Sequence, residues 1–380
     1  MSSPTIPPPT EPPRWITRPD QLRRMATDLA RYPLISVDTE SNSLYVYQEQ
    51  VCLIQFSTGQ ADYLVDPLIL RDELNCLTPI FANPGIEKIF HAAEYDIICL
   101  KRDFDFSFSD LFDTMLAGRI LGRTAIGLAS ILAEEFNLEL DKRYQRANWG
   151  QRPLQPALLA YARLDTFYLI PLRERLKAAL QTCGRWELAL EDFQRLCRTD
   201  VPEANYNDLW TRVAGGQDLT PYQATVLEEL CHYRNRRAQE ADLPAFKILS
   251  NQTLVEIALL SPRTLDELKS VKEMSPRQVS RHGEGLLQAV QRGLNGKPIH
   301  RPANHRPEER ILNRLEHLRN WRKLTGKTMG VESDVILPRD MMERLAQVGP
   351  TCTEDLAVIM QYLPWRLEHF GPELLNILKK

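Results

Sequence analysis

Every segment of β character in this 380-residue chain lies before residue 114, and beyond Cys183 none recurs. Such a chain folds as an α/β part followed by an all-α part, because strands alternate with helices in the front only. Residues 34–40 form an apolar run that turns acidic at its end, 50–56 are β-rich after a polar loop, and 61–65 make a third short strand stopped by Asp66 and Pro67. Gly59 and Gln60 supply a tight turn between the last two. Alternation follows, with a helix near 70–82, a strand at 87–91, a helix at 93–102, a short strand near 108–112 and helices near 113–121 and 127–137. Hairpinned strands giving way to strands separated by helices predict a mixed sheet covered by helices. An irregular stretch, 141–156, precedes a long helical region.

The all-α remainder carries an internal repeat. His232-Tyr-Arg-Asn-Arg-Arg237 aligns with His317-Leu-Arg-Asn-Trp-Arg322 at an offset of 85, whereas Ile248-Leu-Ser250 aligns with Ile336-Leu-Pro338, and His282-Gly283 with Phe370-Gly371, at 88. A three-residue insertion reconciles the offsets, and two copies of about 80 residues read as a duplicated helical domain rather than a solenoid. The expected organisation is a disordered proline-rich tail over 1–13, an α/β domain over 14–195 and a linker over 196–219 hinged at Gly215 and Gly216. A first helical domain over 220–297, a linker over 298–307 with Pro298, Pro302 and Pro307, and a second helical domain over 308–380 complete it.

Several classes are excluded. No apolar run approaches the roughly 18 residues of a membrane span, and the first 13 residues lack the basic and hydrophobic regions of a secretory signal. Seven scattered cysteines without a C-x-x-C suit a reduced, cytoplasmic protein and argue against zinc. His232, His282 and His317 have no partners at metal-ligand spacing. Gly326-Lys-Thr328 is similar to the end of an ATP-binding loop, but Trp321 stands where its first glycine belongs. Net charge is −3, with an acidic excess up to residue 219 and a basic excess after it. The front therefore needs cations to approach phosphate, and the back does not.

Asp38 and Glu40 end the first strand two residues apart, so both project from one face. Paired carboxylates there repel and are costly to desolvate, and a divalent cation relieves both penalties. Alone, a D-x-E is equally a solvated strand end. Asp96 lies at a strand-to-helix transition in His91-Ala-Ala-Glu-Tyr-Asp96, where helix capping is the competing role. Tyr161 and Asp165 fall one turn apart in a helical pattern whose Leu164, Phe167 and Tyr168 make an idle acid costly.

In this order and context the residues resemble the three exonuclease motifs of the DEDD superfamily in its tyrosine-bearing branch. Asp38 and Glu40 match motif one, Asp96 motif two, and Tyr161 with Asp165 motif three. Asp113-Thr114 opening a helix, and Leu140-Asp-Lys ahead of Trp149, are similar to the ribonuclease D group. Residues 227–245 and 311–331, with Asp266-Glu-Leu268 and Asp355-Leu356 downstream, look like tandem helicase-and-RNase-D C-terminal (HRDC) domains. The resemblance implies a ribonuclease H-like exonuclease domain followed by two small helical HRDC-like domains. It implies hydrolysis from RNA 3′ ends with two divalent ions, Mg²⁺ or Mn²⁺, releasing nucleoside 5′-monophosphates. By it, Asp38, Glu40 and Asp165 hold the ion beside the attacking water, Asp38 also touches the second ion, and Asp96 anchors that one. Tyr161 orients the water.

Leu44, Tyr45 and Tyr47 are candidates to stack or wedge bases, with loop packing as the competing role. His91 and Trp149 are taken as further nucleic-acid contacts. Arg234, Arg236 and Arg237 in one helical domain, and Arg319, Arg322 and Lys323 in the other, suit phosphate contact, with a solvated helix face as the alternative. The expected partner is RNA with a free 3′ end, tRNA precursors included, met by a monomer. The competing functions are a DNA 3′→5′ exonuclease, since the metal chemistry does not test the sugar, and a catalytically inactive RNA-binding scaffold. The four acids favour an enzyme over the scaffold.

Overall fold

The computed structural model describes residues 6–141, 143–202, 209–215, 218–300 and 308–379. Residues 1–5 of the expected tail, Lys142, Gly216 of the expected hinge, and Pro302 and Pro307 of the second linker lie outside the described residues. The chain divides into two compact units, one made of Met1–Ser41, Val51–Val201 and Pro307–Lys380, the other of Asn42–Gln50 and Pro202–Arg306. Among the described residues no helix is long and apolar enough to cross a membrane.

The first unit is built on a six-stranded mixed sheet. Its elements are β1 (Arg14–Ile16), α1 (Pro19–Leu29), β2 (Leu34–Ser41), β3 (Val51–Ser57) and β4 (Asp62–Val65), then α2 (Pro67–Leu70), a 3₁₀ turn (Arg71–Leu77) and α3 (Thr78–Ala82). There follow β5 (Glu87–Phe90), α4 (Glu94–Phe104), β6 (Leu111–Asp113), α5 (Thr114–Ile120), α6 (Leu128–Phe136), α7 (Pro156–Phe167), α8 (Leu169–Thr182) and α9 (Trp186–Cys197). Strand order is β1-β4-β3-β2-β5-β6. The β2-β3 and β3-β4 pairs are antiparallel hairpins, and β1, β5 and β6 join in parallel, the mixture that hairpins followed by alternation require.

Helices cover both faces, so β3 is buried along its whole length. One face is apolar: Ile35, Val37, Ile54, Phe56, Tyr63 and Val65 pack with Leu22, Met25 and Leu29 of α1 and Ile97 and Leu100 of α4. The opposite face carries Ser36, Asp38 and Glu40 under α7, whose Thr166 carbonyl accepts from Ser36 Oγ at 2.8 Å. Two elements, β1 and α1, precede the strands read from the sequence. The helix was legible, since Leu22, Met25 and Leu29 follow helical spacing behind Pro19 at its first position. The single helix expected over 70–82 is three short pieces, because Pro79 has no N–H to continue an intrahelical ladder.

The second unit holds α10 (Leu209–Ala214), α11 (Pro221–Glu240), α12 (Ala245–Ile248), α13 (Asn251–Leu260), α14 (Leu265–Lys269) and α15 (Pro276–Asn295). Helix α10, in the stretch read as a linker, buries Trp210 and Ala214 in the core of this module. The second module, in the first unit, repeats the pattern as α16 (Glu309–Met329), α17 (Ser333–Ile336), α18 (Arg339–Val348), α19 (Thr353–Ile359) and α20 (Pro364–Leu378). Corresponding helices all start 88 residues apart, from Pro221 and Glu309 to Pro276 and Pro364. The 85-residue offset and its three-residue insertion are therefore corrected. Tyr233 meets His282 edge-on at 6.1 Å as Trp321 meets Phe370 at 5.5 Å, and both ring pairs fall on the single offset.

The two copies close their last helix differently. In the first, Ser275 and Gln278 cap α15 reciprocally, Ser275 Oγ accepting from Gln278 N at 3.3 Å and Gln278 Oε1 from Ser275 N at 2.9 Å. Those positions in the second copy are Leu363 and Arg366, and the cap comes from the exonuclease part: Glu191 on α9 accepts from the Trp365 and Arg366 backbone N–H groups. The Arg366 side chain, 0% exposed, donates to Glu191 at 2.7 Å, to Asp192 at 2.9 Å and to the Val335 and Ile336 carbonyls at 2.8 and 3.1 Å. Outside this buried cluster, Asp334 pairs with Arg119 and Asp340 with Arg195, where the first module has Phe246 and Gln252. Arg366→Leu strands two acids and is expected to lower unfolding stability by about 3–5 kcal/mol. Asp340→Asn, in the exposed pair, is expected to cost less than about 1 kcal/mol. Urea denaturation of the two variants against the parent checks both.

Candidate active site

Asp38 and Glu40 stand on β2 two residues apart, paired across the ladder with Gln55 and Leu53 of β3, and a register shift between Glu40 and Ser41 ends the pairing beside them. Asp165 reaches the same place from α7, and one oxygen from each of these three carboxylates lies within 4.8 Å of the others. Asp96, buried in the first turn of α4, accepts from Thr39 Oγ1, the hydroxyl between the two β2 acids. The four acids named from the sequence thus converge from three elements.

What aims α4 at this point is a turn the sequence does not announce. Ala92 adopts a left-handed conformation, φ 62°, uncommon for a residue with a Cβ. Asp113, at the end of β6, holds it there by accepting from Ala92 N at 3.2 Å and Ala93 N at 2.7 Å while capping α5 through Met115 N at 2.7 Å and Leu116 N at 3.0 Å. Thr114 Oγ1 donates to the Phe90 carbonyl at 3.1 Å, so its 2.9 Å contact with His91 requires His91 Nδ1 to be the donor. Burial lowers the His91 pKa, against the opposing pull of the Asp113 charge.

The electrostatics follow from packing acids together out of water. Burial first, then the Asp165 charge, pushes Asp38 well above the usual carboxylate range; burial, then Asp38, does the same for Asp96. Glu40 is pushed up to about 10 by burial and by Asp38, Asp165 and Asp96, and Asp165 to about 7 by burial. Such a set is stabilised by positive charge, and carboxylate oxygens are the donors that hard divalent cations take. The residues present fit such ions. The Tyr161 pKa is also raised, by burial and then by Asp165, so its hydroxyl stays protonated as a donor. Its ring is held edge-on by Tyr144 at 5.7 Å and tilted on Trp149 at 6.2 Å.

The remaining sequence candidates divide. Trp149 is 1% exposed and packs with Cys52, Leu53 and Leu64, so it supports the Tyr161 ring instead of stacking on a base, a correction set by burial. Arg152, unforeseen, ties its loop down with Nε and Nη2 on Asp66 at 2.6 and 2.8 Å, Nη1 on the Trp149 carbonyl at 2.7 Å and Nη2 on the Cys52 carbonyl at 2.7 Å. Leu44, Tyr45 and Tyr47 belong to the second unit. Leu44 is 40% exposed, Lys247 Nζ sits 4.5 Å from the Tyr45 ring, and Tyr47 donates its hydroxyl to Asn235 at 2.8 Å and its N–H to Asp242 at 3.1 Å. Tyr47 is thereby engaged with the first helical module. Arg234 and Arg322 fall on the 88-residue repeat and do the same task, each donating Nη1 to a backbone carbonyl, Leu249 at 3.1 Å and Leu337 at 2.9 Å. Arg237 pairs with Glu240, and Arg236, Arg319 and Lys323 are exposed.

Comparison with known proteins agrees with this geometry. Residues 13–181 match the family model described as 3′-5′ exonuclease, and residues 223–290 and 311–378 each match the HRDC domain. The chain is 28% identical over 372 residues to ribonuclease D of Pseudomonas paraeruginosa, covering 96% of this chain and 97% of that protein. It is 29% identical over 297 residues to the exosome complex exonuclease RRP6 of Saccharomyces cerevisiae, covering 74% of this chain but 40% of that longer protein. The crystal structure of Escherichia coli RNase D superposes with a TM-score of 0.72 at 24% identity, covering 97% of this chain and 99% of that one, which shows the shared fold.

The raised carboxyl pKa values set how stability responds to pH without divalent cations. An unfolded Asp or Glu titrates near 4, whereas burial pushes folded Asp165 up to about 7, and burial with the neighbouring acids pushes Glu40 up to about 10. Above pH 4 the folded state binds more protons than the unfolded state, so stability falls as pH rises. Chelator-treated protein is expected to lose stability from pH 5 to 8, each of the two groups contributing up to about 1.4 kcal/mol per unit while it is protonated only in the folded state. Asp165→Asn should flatten the slope below pH 7, as followed by denaturant titration at each pH.

Proposed function

Because this chain belongs to the ribonuclease D group of 3′→5′ exoribonucleases, an exonuclease domain followed by two HRDC domains, we propose that Asp38, Glu40, Asp96 and Asp165 hold two divalent cations, Mg²⁺ or Mn²⁺, at which the terminal phosphodiester of RNA is hydrolysed. The convergence of carboxylates from β2, α4 and α7, with Asp38, Glu40 and Asp165 half-buried together and Asp96 buried beside them, carries this reading. When bound, such ions supply an activated water and stabilise the negative charge that develops on the departing 3′ oxygen.

The chain's own groups do the rest. Tyr161, protonated near neutrality, donates its hydroxyl to the attacking water and so aligns it; with its pKa raised by burial and neighbouring acids it is not the base. Tyr144 and Trp149 keep that ring in place, and Thr39 orients Asp96. Attack at phosphorus breaks the bond to the 3′ oxygen of the preceding nucleotide. The terminal residue then leaves as a nucleoside 5′-monophosphate and the shortened strand keeps a 3′ hydroxyl for the next round. Leu44 and Tyr45 are the proposed base contacts, and Arg237 and Arg319 the proposed phosphate contacts. We further read the working form as a cytoplasmic monomer that trims tRNA precursors and other structured RNA ends; seven free cysteines suit a reducing compartment.

RNA labelled at its 5′ end tests polarity, product and metal demand in one assay. A ladder shortening from the 3′ end, with 5′-monophosphate release abolished by chelator, is expected. Asp38→Asn should lose turnover while keeping RNA affinity, and Tyr161→Phe should lower kcat by about 10²-fold with little change in KM, as loss of alignment does. Turnover retained in Asp38→Asn would sink the metal-site reading, and faster loss of a matched DNA strand would reassign the substrate.

A further inference from the structure

The sheet face that carries the acids also holds a polar side chain that no hydrogen bond among the described residues accounts for. Gln55, at the centre of β3, is 0% exposed, and neither its Oε1 nor its Nε2 meets a partner among the described residues. Burying an amide unpaired is costly, and its sheet neighbours Leu53, Ile54 and Phe56 show that an apolar side chain suits this strand. The other polar groups of the same face are paired. Ser36 donates to the Thr166 and Ser57 carbonyls at 2.8 and 3.2 Å, and Asp62 pairs with Arg163.

The register shows what Gln55 stands beside. It is directly opposite Asp38 across β2 and β3, and opposite Leu64 across β3 and β4. Opposed residues of an antiparallel pair share a face with Cβ atoms about 4.5–5.5 Å apart. The amide therefore rises from the sheet next to the Asp38 carboxylate, beneath α7, whose Ala162 packs with Leu53 and Leu64. A carboxylate that binds cations through some of its lone pairs keeps others, and a donor on that outer side fixes its orientation and raises metal affinity.

We propose that Gln55 is a positioning residue for the metal-binding acids, its amide donating to the side of the Asp38 carboxylate that faces away from the bound cations. The proposal rests on the metal-site reading above and adds a residue that touches neither ion nor RNA. Gln55→Met keeps the volume and removes the donor. Calorimetric titration of Mn²⁺ into the full-length protein should show binding weakened about tenfold in this variant. Without metal, its urea midpoint should equal or exceed that of the parent, because an unpaired amide is gone. RNA hydrolysis should fall at limiting Mn²⁺ and recover at saturating Mn²⁺, separating affinity from turnover. Unchanged Mn²⁺ affinity in Gln55→Met overturns the proposal. So does a loss of cooperative unfolding, which would make the amide a packing element of the core. Failure of the parent itself to bind Mn²⁺ strikes the metal-site reading instead and is seen before the variant is measured.

Discussion

Like charges forced together out of water set the terms for this molecule. Three half-buried carboxylates crowd together with a fourth, buried, beside them, and packing alone would drive them apart or protonate them. The surrounding structure is arranged to prevent the first. A bulge ends β2 just past Glu40, Thr39 engages Asp96 from the opposite side of the strand, and Asp113 pins the left-handed turn from which α4 departs. On the other flank Arg152 fastens the Trp149 loop to β3 and to Asp66, so the wall behind Tyr161 does not yield. The site is thus a stressed arrangement held by neutral and cationic neighbours, and binding positive charge is its natural release.

The parts of this site legible in the sequence are those governed by local periodicity. Asp38 and Glu40 share a face because strands alternate, and Tyr161 and Asp165 share one because helices turn in about 3.6 residues. Asp96 needed only its strand-to-helix context. What escaped is set by partners distant in sequence. Nothing near Trp149 says that it lies under Tyr161, nor does anything near Tyr47 point to Asn235, which lies far along the chain. Ala92 carries no mark of its left-handed turn, because the reason sits at Asp113.

The repeat shows the same limit. Matching letters favoured a 85-residue offset through His232 and His317, but the physical equivalences are a ring for a ring, Tyr233 and Trp321, and a carbonyl clamp for a carbonyl clamp, Arg234 and Arg322. Those pairs obey 88 throughout. Arg234 in one copy and Arg322 in the other each tie down a backbone carbonyl, a task that their spacing alone did not reveal. The acids that dock the second copy, Asp334 and Asp340, stand where the first has Phe246 and Gln252.

That divergence has a bearing on what each module takes from the rest of the chain. The closing helix of the second module is completed by Glu191, 175 residues before Arg366, so the cap of its first turn depends on a residue outside the module. The first module carries its own cap. Taken out of this chain, the second module would lose the two acids that pair with Arg366 and the carboxylate that caps its last helix, keeping only the Val335 and Ile336 carbonyls as partners of that side chain. Duplication here produced one module whose closing helix is capped from within and one whose closing helix is capped from outside.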